Sequence, residues 1–198
     1  MNTNTATHSN IEARPNTECN YVNGVNVDQI NHVIESITAD TAFGKFQFRA
    51  RNRWVNGGLN RSQIKDFHAG GREDGTRSKP FTLDADEPQL VAGNDSAPNS
   101  MEYVLHALVS CMTGTLVYHA AVRDIAIKSV SSKIEGDMDV RGLLGMADDV
   151  RKGFHHVRVT MRVDSDAGVE TLTELALFSP VYDIVSKSLP VEFRLEKI

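Results

Sequence analysis

From Met101 to Ala121 the chain runs almost without interruption through apolar residues, carrying a single acidic side chain, Glu102, and no proline. A stretch this apolar and this poor in breakers forms a buried helix. Asn99 stands where an N-cap belongs and Glu102, three residues on, is placed to answer it in a capping box. Near the middle of the helix lies Cys111. A helix that is apolar on all sides needs cover on every side, and one sheet with one helix pair does not supply that. An intertwined homodimer, with the partner covering the remaining face, is therefore expected.

The chain has 198 residues, 40% of them hydrophobic, which suits one substantial core and one main domain. Its formal net charge is −5 and its basic residues are scattered, so no stripe exists to neutralise a run of phosphates and no nucleic-acid partner is expected. Residues 103 to 122 approach a membrane span in length, but His106, Ser110, Thr113, Thr115 and His119 interrupt them, so no membrane partner is expected either. The polar first ten residues lack the basic start and apolar centre of a signal peptide. The two cysteines, Cys19 and Cys111, are far apart and have no metal-ligand spacing, which fits a reducing, cytoplasmic setting.

Residues 1–26 read as a flexible polar tail, residues 27–40 as an amphipathic helix with Val27, Ile30, Ile34 and Ile37 on one face, and residues 41–198 as the main domain. From Lys45 to Val55 the period becomes two, with Phe46, Phe48, Ala50 and Trp54 on one side of a strand and Gln47, Arg49, Arg51 and Arg53 on the other. Asn56 to Asn60 reads as a turn, Arg61 to Phe67 as the returning strand, His68 to Lys79 as an exposed loop, and Pro80 to Asp86 as a third strand. After the central helix, strands are expected at Ile125 to Met138 and Val157 to Val163. Helices follow at Val169 to Phe178 and Val181 to Ser188, then a strand through Val191, Phe193 and Leu195. The fold class is α+β, with antiparallel sheets packed on a long central helix.

The stretches Asp84 to Pro88, Gly93 to Pro98, Glu102 to Cys111 and Glu135 to Gly145, together with Ser179-Pro180, resemble the OsmC/Ohr family. The added helix at residues 27–39 is similar to the less-characterised OsmC-like branch. The resemblance implies an intertwined homodimer with its sites at the subunit interface. For the characterised members it also implies reduction of organic hydroperoxides by a peroxidatic cysteine, here Cys111. A second cysteine in those members resolves the oxidised thiol just before a proline, and that position is Ser179 here. The family arginine that polarises the thiol matches Arg61 best, with Arg53 as the alternative. The family glutamate stands ten residues before the cysteine, whereas Glu102 is nine before Cys111.

The expected function is therefore that of a one-cysteine peroxidase in oxidative stress defence, with an organic hydroperoxide and an external thiol as partners and no cofactor. The alternative is a non-enzymatic OsmC-fold protein that binds an apolar ligand or a partner at the dimer interface. Cys111, Arg61 and Glu102 are the catalytic candidates, although capping alone explains Glu102. At about 100° per residue, Val104 and Tyr118 share the face of Cys111, and Ala107 and Thr115 lie beside it; these four form the candidate substrate pocket. His106 and His119 lie off that face, which speaks against a cysteine hydrolase. His155 and His156 point to opposite sides of a strand, so no metal site is expected.

Overall fold

The computed structural model describes residues 19–198, so most of the expected tail, residues 1–18, lies outside the described residues. The rest of that segment is not a tail. β1 (Tyr21–Val22) and β2 (Val25–Asn26) form a hairpin whose turn residues, Asn23 and Gly24, both have positive φ, the geometry that matches strand twist in a two-residue turn. The Asn23 side chain donates to the Ile125 carbonyl at 2.9 Å and accepts from the Ile127 amide at 2.8 Å. Val25 and Val27 pack on Ala121 of the central helix. The low hydrophobicity of the segment concealed this because a few valines and one asparagine do the anchoring.

α1 (Val27–Ala39) follows, capped as expected by Asn26, whose side chain accepts from the Gln29 amide. β3 (Arg51–Asn56), β4 (Leu59–Ile64) and β7 (Phe81–Ala85) form an antiparallel sheet in the order β3-β4-β7. The regular part of the first strand is shorter than its alternation suggests. Residues 45–50 leave the ladder, and Gln47 bridges to His68 instead. The expected loop after β4 contains a further hairpin, β5 (Phe67–Ala69) and β6 (Arg72–Asp74), turned by Gly70 and Gly71 at positive φ. The charges that made it look solvated act across the hairpin. Arg49 pairs with Glu73 through two hydrogen bonds, and the Arg77 guanidinium lies over Phe67 and Phe81.

The loop entering the central helix is pinned from inside. Asp86 is 1% exposed and accepts from the Glu87 amide, the Ser96 amide and the Ser96 hydroxyl. Gly93 packs so closely on the Glu87 carbonyl that any side chain there would overlap it. α2 (Ser100–Val122) then runs through the core. By length and composition alone it could cross a membrane. Its Leu108, Met112, Leu116 and Ala120 nevertheless pack, fully buried, as the core helix of the domain.

β8 (Ile127–Asp137), β9 (His156–Ser165) and β10 (Val191–Lys197) form the second sheet, in the order β10-β9-β8. β9 is central and buries Val157, Val159, Met161 and Val163. A short helix, α3 (Val140–Leu143), interrupts the β8–β9 connection; it was not foreseen, and Asp139 caps it by accepting from the Arg141 amide. The pairing of β8 with β9 is antiparallel, but that of β9 with β10 is parallel. The reason is the connection: α4 (Val169–Leu177) and α5 (Pro180–Ser186) intervene, and a parallel return needs such a crossover. Leu172, Leu175 and Ala176 of α4 close the core against α2.

Truncating Leu116 to Ala should lower the free energy of unfolding by about 2–5 kcal/mol, measured by urea denaturation. Hydrogen bonds from Ser96, then opposed by desolvation, leave the Asp86 carboxyl below its ordinary pKa. A carboxylate of this kind stabilises the fold above its unfolded value, near about 4, and that contribution fades as pH falls through the lower folded value. Asp86→Asn should therefore lower the melting temperature at pH 7, and the gap between variant and parent should narrow below about pH 4.

Candidate thiol site on the central helix

The capping box at the start of α2 is complete. Asn99 Oδ1 accepts from the Met101 and Glu102 amides at 3.0 Å each, and Glu102 Oε2 accepts from the Asn99 amide at 2.8 Å. Glu102 is exposed and, on an ideal helix, falls on the side opposite Cys111. The structure gives it a capping role and does not bring it to the sulfur.

Cys111 is half-buried and lies on a seam. On one side of it, at about 60° to 140° around the helix, stand the fully buried Leu108, Met112 and Leu116. Within about 40° of it are the other candidates: Val104, Ala107 and Tyr118 are exposed and Thr115 is half-buried. Val104 is 38% and Tyr118 51% exposed, high values for large side chains on a core helix. The thiol thus borders an open apolar stripe that its own chain does not cover.

Arg61 is placed differently from the expectation. On β4 it stands directly across from Asp84 of β7, and its Nε and Nη2 donate to the two Asp84 carboxylate oxygens at 2.6 Å each. This bidentate pair raises the Arg61 pKa and lowers that of Asp84. Alternation puts Arg53, Arg61 and Asp84 on one sheet face and Asn60, Ser62, Leu83 and Ala85 on the other. The second face meets α2, forming a cleft of about 290 Å³ with Ser100 and Tyr103, and the Tyr103 hydroxyl donates to the Asp84 carbonyl at 2.7 Å. Arg61 is consequently turned away from α2 and held by Asp84, and within one chain it is not brought to Cys111. Arg53 shares its face. Asp84 was not identified from the sequence, because strand register decides which acid faces Arg61.

Ser179 is 1% exposed and caps α5, its hydroxyl accepting from the Tyr182 amide at 3.2 Å. Both α4 and α5 pack on α2, so this position lies on the helix pair that backs the thiol helix. A hydroxyl there cannot form a disulfide with an oxidised Cys111. His119 stacks on Phe178 at 4.5 Å between ring centroids, and its Nδ1 is 3.1 Å from Arg123 Nη1. Because arginine only donates, Nδ1 accepts and the imidazole is neutral, in line with a pKa pushed down by burial and then by Arg123. Eight residues of helix, about 12 Å, separate His119 from Cys111, too far for it to act as a base. Among the described residues, no three His, Cys, Asp or Glu side chains are grouped to hold a metal ion.

Residues 93–194 match the family of OsmC-like proteins, and the chain belongs to that family. The fold agrees with solved structures at low identity. An OsmC-like protein from Mycoplasma pneumoniae superposes with a TM-score of 0.58 at 12% identity, covering 77% of this chain and 97% of that one. An organic hydroperoxide resistance protein, OsmC, from Legionella pneumophila gives 0.52 at 15%, covering 76% and 96%. An organic hydroperoxide resistance protein from Elizabethkingia anophelis gives 0.50 at 15%, covering 77% and 96%. No curated protein matches the sequence significantly.

If Glu102 serves the cap alone, Glu102→Gln should leave the rate of Cys111 alkylation by iodoacetamide unchanged, as read by mass spectrometry. Asn99→Ala should lower stability by about 1 kcal/mol in denaturant titration.

Proposed function

We propose that the protein is a cytoplasmic, homodimeric thiol peroxidase that reduces organic hydroperoxides through Cys111. The observation that carries this reading is the position of Cys111 on α2, half-exposed at the edge of an open apolar stripe. Such a stripe suits the tail of a hydrophobic peroxide. In the reaction the Cys111 thiolate attacks the distal peroxide oxygen, the O–O bond breaks, and the leaving alkoxide takes a proton to become an alcohol. The sulfur is oxidised to a sulfenic acid. An external thiol displaces water to form a mixed disulfide, and a second external thiol releases Cys111 and leaves as the oxidised disulfide.

The external thiol meets the sulfenic acid directly because Ser179 supplies a cap and no sulfur. A thiolate at an apolar surface also needs a cation beside it. Arg61 of the same chain is held by Asp84 on the far face of its sheet, so that sheet does not bring the charge to the thiol of its own chain. The dimer has a physical motive of its own. The sheet face opposite Arg61 exposes Trp54 at 71% and Phe81 at 60%, while α2 exposes Val104 and Ala107. In a twofold dimer each of these surfaces covers the other on the partner. The hydroperoxide resistance proteins of similar fold support the substrate class.

The commitment of Ser179 to capping favours a second reading, in which the fold binds an apolar ligand or a partner and Cys111 is residual. The two separate in one experiment. With cumene hydroperoxide and a dithiol, the parent protein should consume peroxide and Cys111→Ser should lose that activity. After peroxide alone, a dimedone-type probe should label Cys111. Equal consumption by parent and variant, or no labelling, selects the non-enzymatic reading.

A further inference from the structure

α1 lies against the C-terminal end of α2 and leaves between them a groove of about 450 Å³, lined by Ile30, Ile34, Tyr118, His119, Val122 and Arg123. Its walls are mostly apolar. Ile34 is 48% and Tyr118 51% exposed, although both sit within regular helices.

The rim carries one fixed charge. Arg123, the C-cap of α2, is held by Nη1, which donates to the His119 carbonyl at 3.0 Å and to His119 Nδ1 at 3.1 Å. Among the described residues, its Nε and Nη2 make no hydrogen bond, and no acidic side chain lines the groove. His119 is neutral, as that bond to Nδ1 requires, and its ring is fixed by stacking on Phe178. The groove therefore combines an apolar trough with one anchored guanidinium that has donors to spare. A guanidinium with two neighbouring free N–H groups matches a planar carboxylate, which it can bind through two parallel hydrogen bonds.

The length of the trough limits the ligand. Ile30 to Ile34 spans about one turn of α1, and Tyr118 to Arg123 spans five residues of α2, so the trough is about 6–8 Å long. That suits a medium alkyl chain. We propose that this groove is a binding site for a medium-chain carboxylate, with its tail between Ile30, Ile34, Tyr118 and Val122 and its carboxylate on Arg123. Two of the six lining residues come from α1, and the site does not need the chemistry assigned to Cys111, although Tyr118 belongs to both surfaces.

The test is a titration of the full-length, ¹⁵N-labelled protein with octanoate and, separately, with octanol, followed by amide chemical shifts. Octanoate should give saturable shifts centred on Ile30, Ile34 and residues 118–123, and octanol should bind about tenfold more weakly. Arg123→Gln, at an exposed helix end, should weaken octanoate by about tenfold and leave octanol unchanged. Ile34→Ser should weaken both. Cys111→Ser should bind octanoate as the parent does, so failure of the peroxidase reading leaves this result untouched. The proposal is overturned if shifts do not saturate, if they centre elsewhere, or if Arg123→Gln binds octanoate like the parent. It is equally overturned if Ile34→Ser alters the oligomeric state by sedimentation while octanoate binding is unchanged, because the groove is then an interface between copies.

Discussion

The cover required by α2 governs the rest of the structure. A helix of 23 residues with apolar side chains around its whole circumference cannot be sheltered by one layer. β9, α4 and α5 shelter one side through Leu108, Met112 and Leu116. The β1–β2 hairpin and α1 shelter a second, through Ala121. A third strip, holding Val104, Ala107 and Tyr118, remains open, and the seam between core and strip is where Cys111 lies. The chemistry of the thiol thus follows from an unfinished packing problem. A cysteine sealed among Leu108 and Met112 would be inert, and one on the open strip would lack the shape of a pocket.

Much of this was legible in the sequence because it rests on local patterns. The capping box at Asn99 and Glu102, the α1 cap at Asn26, the Ser179-Pro180 helix start and the alternation of Val157 to Val163 each bring their partners within a few residues. What escaped was set by distant pairing. The Arg61–Asp84 pair depends on strand register, and the Gln47–His68 bridge shortened a strand whose alternation ran further. Asn23 fastens the N-terminal hairpin to residues more than a hundred positions away, and composition alone could not show that. The site divided along the same line. The helix positions of Cys111, Val104, Ala107, Thr115 and Tyr118 were readable from helical geometry, whereas the position of Arg61 relative to them was not.

Arginine on a sheet is a good example of why residue type does not settle a role. Arg61 has the charge that a reactive thiol needs, yet both of its forward donors are taken by Asp84 in a pairing typical of a well-ordered surface fork. Arg123 was singled out by no motif, yet it lines an apolar groove and, among the described residues, its Nε and Nη2 make no hydrogen bond. The difference lies in which partners each guanidinium already has.

The parallel pairing of β10 with β9 affects how the protein is made. β9 is the middle strand of its sheet, and one of its edges stays bare until residues 191–197 arrive, with Leu195 filling its place in the interior. On the ribosome, α2 and the strands on one side of it emerge long before the strand that finishes their shelter. The nascent chain must therefore wait, with greasy surface showing, until residues 191–197 have emerged, and holding chaperones would find their targets in that interval.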